Sequence, residues 1–226
     1  MCNKAVAFEK INLIVNSIKY ELQHIISGNG EKGNGSNIQA ATRYLRSSKE
    51  ASRKIEETEY TKEQETTFLK EFINQNNYWY KGDFPEETKI GEGAEQKVYL
   101  SSDNRTVLKL SDSIYYEFWI DYLHNLLLHN YFFPNTNYHL LGFKEQEDIL
   151  YAVVKQPFIQ ITEPTNIELV KQFLTANGFE VKKNNDYINK SLGIILEDLH
   201  DENVLINQKL LFFIDTVFYL TPYFYV

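Results

Sequence analysis

The chain of 226 residues has one cysteine, Cys2, so it can form neither an internal disulfide nor a cysteine-rich zinc site, and this usage fits a reducing compartment. Its five histidines fall into no metal-ligand pattern such as HExxH. Positive charge is in short supply. Against 31 Asp and Glu there are 23 Lys and Arg, and a formal net charge of -8 argues against broad attraction to nucleic acid or anionic lipid. Long hydrophobic runs are also missing: nothing approaches the roughly 18 uncharged apolar residues that span a bilayer. Lys4, Glu9 and Lys10 break up the apolar residues at the start, and Asp215 and Pro222 interrupt the most apolar stretch, Leu210 to Val226, which reads as core strand. These absences predict a cytoplasmic, soluble protein with no nucleic-acid or membrane partner.

What is present is enough to build a core: 43% of the residues are hydrophobic and 15% are aromatic. Ile11, Leu13, Ile14, Ile18, Leu22, Ile25 and Ile26 recur at the spacing of an amphipathic helix over residues 4–27. The Gly- and Asn-rich tract from Gly28 to Asn37 lacks the Lys-Ser/Thr pair of a P-loop and reads as a helix-helix connection. Further helices are predicted over 37–46 and 62–75, with Ser47 to Tyr60 too polar to pin itself down. Residues 1–80 therefore read as a helical extension without chemistry of its own.

From Trp79 onward the pattern changes to short strands. Lys89-Ile90, Val98 to Leu100 and Thr106 to Leu110 predict three antiparallel strands, Ile114 to Tyr131 a helix, and Tyr138 to Phe143 and Ile149 to Val154 two more strands joined at Glu145-Gln-Glu147. Gln156-Pro157-Phe158 would be a hinge, Asn166 to Asn177 a helix stopped by Gly178, and Leu192 to Leu196 a strand. The fold class is α+β, with residues 81–226 forming two lobes, 81–157 and 158–226.

Three groups of residues could carry chemistry. Gly91-x-Gly93-x-x-Gln96-x-Val98 is a glycine-rich turn in which backbone amides can approach phosphate oxygens and Val98 can pack on a base, although a third glycine is absent. Lys109, on the third strand, can reach phosphates from the sheet, steadied by an acid on the following helix, either Glu117 or Asp121. The third group is Asp198, Asn203 and Asp215, set in apolar sequence. Carboxylates converging on buried strand ends call for a cation, and hard oxygen ligands of this kind suit magnesium. Phosphoryl transfer needs a positioned hydroxyl and chelated magnesium more than covalent help, and this spacing can supply both. His200 reads as a loop-ordering residue.

At these residues the chain resembles the protein-kinase-like superfamily. Asp198-Leu-His-Asp-Glu-Asn203 is similar to the catalytic loop of the aminoglycoside and choline phosphotransferase branch, and Ile214-Asp215-Thr216 stands where that superfamily has its metal-binding aspartate. More closely, Gly91 to Tyr99, Leu196 to Leu205 and Phe213 to Phe218 look like the kinase domains in polyvalent proteins of bacterial phages and conjugative elements. The resemblance implies a minimal two-lobed kinase fold behind a helical N-terminal segment, using ATP and Mg2+ to phosphorylate a hydroxyl acceptor, protein or small molecule. It implies Asp198 as catalytic base, Asn203 and Asp215 as metal ligands, and Lys109 as the phosphate-binding lysine. Three departures stand out: no arginine precedes Asp198, only about forty residues separate hinge from catalytic loop, and eleven follow Asp215. The N-terminal helices then fill the space of the usual large-lobe helices, or the lobe is minimal. The alternatives are a nucleotide-binding pseudokinase and an adaptor acting through residues 1–80.

Overall fold

The computed structural model describes residues 2–28, 36–55, 60–183 and 186–226, so most of the Gly- and Asn-rich connection lies outside the described residues. Three helices come first: α1 (Cys2–Ile26), α2 (Asn37–Ile55) and α3 (Lys62–Asn76). A five-stranded antiparallel sheet follows, built from β1 (Lys89–Glu92), β2 (Gln96–Leu100), β3 (Thr106–Ser111), β4 (His139–Gln146) and β5 (Ile149–Pro157) in the order β1-β2-β3-β5-β4. Helix α4 (Trp119–Phe132) is inserted after β3, which is the order expected of a kinase small lobe. Among the described residues no helix is long and apolar enough to cross a membrane.

Among the described residues the second lobe holds one α-helix, α5 (Ile167–Ala176), a final 3-10 turn at Pro222–Tyr225, and short strands: β6 (Glu180–Val181), β7 (Tyr187–Asn189), β8 (Ile194–Glu197), β9 (Val204–Asn207), β10 (Leu210–Phe213) and β11 (Val217–Leu220). Strands β9 and β10 form a hairpin, while β11, β8, β7 and β6 form a four-stranded sheet. Asn166 begins α5 as expected, its side chain accepting from the Glu168 and Leu169 amides.

The helices expected as an appendage pack into both lobes. Ile38, Ala41 and Leu45 of α2 and Leu69, Phe72 and Ile73 of α3 share one buried core with Trp119 and Leu123 of α4 and Phe143 of β4. Each leucine, isoleucine or phenylalanine among them contributes roughly 1.5–3 kcal/mol on burial. Helix α1 instead joins the second lobe, with Leu22 and Ile26 among Leu128, Leu192 and Phe224. Helix α2 also runs further than polarity predicted, to Ile55, and Tyr60 is buried.

Two local expectations are corrected. The β4–β5 turn falls at Glu147-Asp148, both with positive φ, so β4 extends to Gln146. Helix α4 starts at Trp119 rather than Ile114, because residues 114–118 form turns and bends, with Tyr116 N–H closing onto the Ser113 carbonyl. Phe118 at the N-cap has no side chain that could accept a hydrogen bond, and the cap comes from another helix: buried Glu65 of α3 accepts from the amides of Trp119 and Ile120 through Oε2.

Candidate active site

The site forms where the ends of β8, β9 and β10 meet the first sheet. Strand β8 ends at Glu197, and Asp198 leaves it with φ 63°, a left-handed conformation that aspartate tolerates better than most residues. The chain then turns tightly: His200 N–H reaches the Asp198 carbonyl, and the amides of Asn203 and Val204 reach the His200 carbonyl. Asn203 faces back across this loop, its amide nitrogen donating to the Asp198 backbone carbonyl at 2.8 Å and to Asp198 Oδ2 at 2.8 Å. His200 Nε2 lies 3.3 Å from Asp198 Oδ1 and 3.0 Å from the Asn203 amide nitrogen, so the histidine sits within the loop it was expected to order.

Asp215 arrives beside this loop by way of a short hairpin. Gln208 and Lys209 both adopt positive φ, which suits the twist of a two-residue turn between β9 and β10. The two strands then run back in register to Val204 and Phe213, and the amides of Ile214 and Asp215 donate to the Asn203 carbonyl at 2.9 and 3.3 Å. Strand β11 closes the unit by pairing Val217 with Glu197. Asp198, Asn203 and Asp215 therefore occupy one end of the lobe because two strand pairings, both local in sequence, require it.

Lys109 enters from the first sheet. It is 4% exposed, stands opposite Val154 on β5, and its ammonium lies 3.6 Å from Asp215 Oδ2. It also donates to the Ile214 carbonyl at 2.9 Å, and that oxygen accepts from the Tyr138 hydroxyl at 2.8 Å. Burial lowers the lysine pKa while Asp215 opposes the drop. This ion pair joins the two lobes.

Glu117, expected to steady Lys109, does not pair with it. The late start of α4 leaves Glu117 exposed in the bend ahead of the helix. Asp121, the other candidate, sits in the first turn of α4, where burial raises its carboxyl and the charge of Lys49 opposes the rise. The carboxylates that act on Lys109 are Asp215 and then Glu95.

Glu95 was not singled out by sequence reasoning. It lies inside the glycine-rich turn, and its carboxyl is raised to about 7, first by burial and then by the charges of Asp215, Asp112 and Asp198. Its Oε2 is buried without a hydrogen-bond partner. The neighbouring Gln96 amide donates to Asp215 Oδ2. An acid between two glycines and a strand was the available signal, but its reach across the cleft depends on how the lobes meet.

The two glycines of this turn are not demanded by the protein's own packing. A Cβ at Gly91 would meet nothing nearer than Val98 at 3.7 Å, and one at Gly93 nothing nearer than the Gln96 carbonyl at 4.0 Å. Neither has a positive φ. Val98 pairs directly with Gly91 across β1 and β2 and with Lys109 across β2 and β3, so these positions form a continuous floor.

Behind the site, α4 holds the Asp215 segment in place. His129 is fully buried, with Nδ1 at 2.8 Å from the Thr216 hydroxyl and Nε2 at 3.0 Å from the Thr136 carbonyl. A carbonyl can only accept, so Nε2 carries the proton and Nδ1 receives the Thr216 hydroxyl. Burial pushes the His129 pKa down to about 3, which keeps the ring neutral. One turn earlier, Asn125 Oδ1 accepts from the Phe218 amide at 2.9 Å.

Compared with known proteins, residues 62–222 match the model of a family described as a serine/threonine/tyrosine kinase found in polyvalent proteins. No curated protein matches the chain. The match takes in α3, the whole first sheet, the loop from Asp198 to Asn203 and the Asp215 hairpin, leaving α1 and α2 outside it. With its two-lobed α+β architecture, this chain belongs to the kinase family of polyvalent proteins, a family of phosphotransferases.

Proposed function

We propose that the chain transfers the γ-phosphate of ATP, with Mg2+, to a side-chain hydroxyl of a protein acceptor in the cytoplasm. The observation that carries this reading is the buried Lys109–Asp215 ion pair across the lobes, next to the Asp198–Asn203 hydrogen bonds. The family's description names serine, threonine and tyrosine, which favours a protein acceptor.

The residues present fit both groups. Space for a Cβ at Gly91 and Gly93 is space a phosphate can approach, with Val98 positioned to pack on the base. Asp215 and Asn203 offer hard oxygens, and the crowded carboxylates around the partnerless Glu95 oxygen favour a cation nearby. Among the described residues no three His, Cys, Asp or Glu side chains form a metal cage of their own, which suits an ion that takes only one or two protein ligands. Magnesium, when bound, would offset the charge on the phosphate oxygens.

In this reading Lys109 orients the phosphates from the sheet. Asp198 faces the acceptor hydroxyl and takes its proton as the oxygen attacks. Asn203 holds Asp198 through its amide nitrogen, leaving its carbonyl oxygen for the metal. His200 keeps the loop in shape. Incubating the purified chain with labelled ATP and Mg2+, alone and with cell lysate, tests the proposal. Asp198→Ala is expected to lower transfer by about 10²–10⁴-fold while ATP binding persists. Undiminished autophosphorylation in both Asp198→Ala and Asp215→Ala would refute the assignment.

One observation favours a second reading, nucleotide binding without turnover: the Gln96 amide occupies the Asp215 oxygen that a metal would use. A thermal shift with ATP and no transfer to any acceptor, in the wild type and in Gln96→Ala, would select it.

A further inference from the structure

A cavity of about 460 Å³ opens at Asp198, and neither Lys109 nor Asp215 lines it. Its aromatic walls are Tyr115 and Tyr116, from the turn before α4, and Tyr219 of β11; its carboxylates are Glu95 of the glycine-rich turn, Asp186, just ahead of β7, Glu197 at the end of β8, and Asp198 itself. Among the described residues no lysine or arginine is on the wall, and His200 is its one basic side chain. The Tyr116 and Tyr219 rings lie 6.5 Å apart, centre to centre, while Tyr115 is 63% exposed beside them.

We propose that this cavity seats a basic side chain of the acceptor polypeptide, an arginine or lysine close to the hydroxyl that is phosphorylated. The inference rests on the reading of Asp198 as the group facing that hydroxyl. A volume of this size accommodates one side chain and its neighbours rather than a folded element. Aromatic faces attract a cation through the ring quadrupole, and a planar guanidinium can lie on a ring while donating to carboxylates at its edge. Four carboxylates in one partly desolvated cavity repel each other until a positive charge enters. The Glu197 carboxyl shows this: burial raises it first and the Asp186 charge next, and Lys182, outside the wall, opposes the rise. Because Asp198 belongs both to the cavity and to the catalytic loop, a basic residue held there places a nearby hydroxyl at the base.

The test measures binding and transfer separately. Fluorescent serine-centred peptides carrying arginine at successive neighbouring positions are compared with the same peptides carrying citrulline, a neutral near-isostere. Binding is followed by anisotropy with a non-hydrolysable ATP analogue and Mg2+, and transfer with ATP. At the favoured position the arginine peptide is expected to bind about tenfold more tightly, the effect of one charge-assisted hydrogen-bonded contact. Transfer should show the same preference in KM. Glu197→Gln and Asp186→Asn, each checked for an unchanged melting temperature, should each shrink the arginine-to-citrulline ratio. Equal affinities for the two peptides, or a ratio that survives both substitutions, overturns the proposal. So does acceptance of amine-bearing small molecules with no selective peptide binding. Selective binding without any transfer would uphold the cavity and defeat the kinase reading; transfer without selectivity would do the reverse.

Discussion

Glu65 offers a test of how the N-terminal helices are tied to the catalytic lobes. The side chain is fully buried under the N-terminus of α4. Its Oε2 accepts from the Trp119 and Ile120 amides, which favours the carboxylate, whereas Oε1 has no partner. Burial outweighs the amides and carries the carboxyl to about 7, against 4.5 for an ordinary glutamate. A raised folded value means that the folded state holds the proton more tightly than the unfolded chain. The stability this confers is therefore full below about pH 4.5 and is lost as pH rises through 7. Integrated between pH 5 and pH 8, the gap amounts to about 2.5 kcal/mol. Glu65→Gln keeps an oxygen for the two amides and removes the titration. Urea denaturation of both proteins at several pH values isolates the effect, because contributions from other groups cancel in the difference. The wild type is expected to lose about 2.5 kcal/mol relative to Glu65→Gln between pH 5 and pH 8. Parallel stability profiles for the two proteins would show that the buried cap does not exchange a proton in this range, and the reasoning would fail.

His129 acts in the opposite direction. With its folded value near 3, protonation of the unfolded chain below about pH 6.5 should withdraw about 3 kcal/mol by pH 4, and its NMR resonances should not titrate between pH 5 and pH 8; a midpoint near 6.5 would refute its burial. Lys109→Met should abolish the ATP-induced thermal shift and lower transfer on the order of 10²-fold, and should also lower the unliganded melting temperature, since Asp215 and the Ile214 carbonyl lose their partner. Gly193→Ala should destabilise by about 2–4 kcal/mol in chemical denaturation, because its φ is +72° and the new Cβ would stand 2.5 Å from the Phe224 nitrogen. An unchanged midpoint would mean that the segment around Phe224 gives way without strain.

The parts of this protein legible in its sequence are those decided over short distances. Alternating strands, the insertion of one helix after the third strand, and the nearness of Asp198, Asn203 and Asp215 all follow from local pairing and turn length, as the two-residue turn at Gln208-Lys209 illustrates. Helical periodicity failed at Ile114 to Phe118 because aromatic residues needed for walls and turns fall at the same spacing as those needed for a helix face. The partner of Lys109, the reach of Glu95 and Gln96 across the cleft, the cap lent by Glu65 and the support of Thr216 by His129 were decided only by the tertiary structure. Each joins residues at least 50 positions apart, and the targets of the Glu95 turn, Asp198 and Asp215, are over 100 away. No local pattern records such pairings, since the same side chain in the same short segment can face solvent or a partner depending on which surfaces the cores bring together.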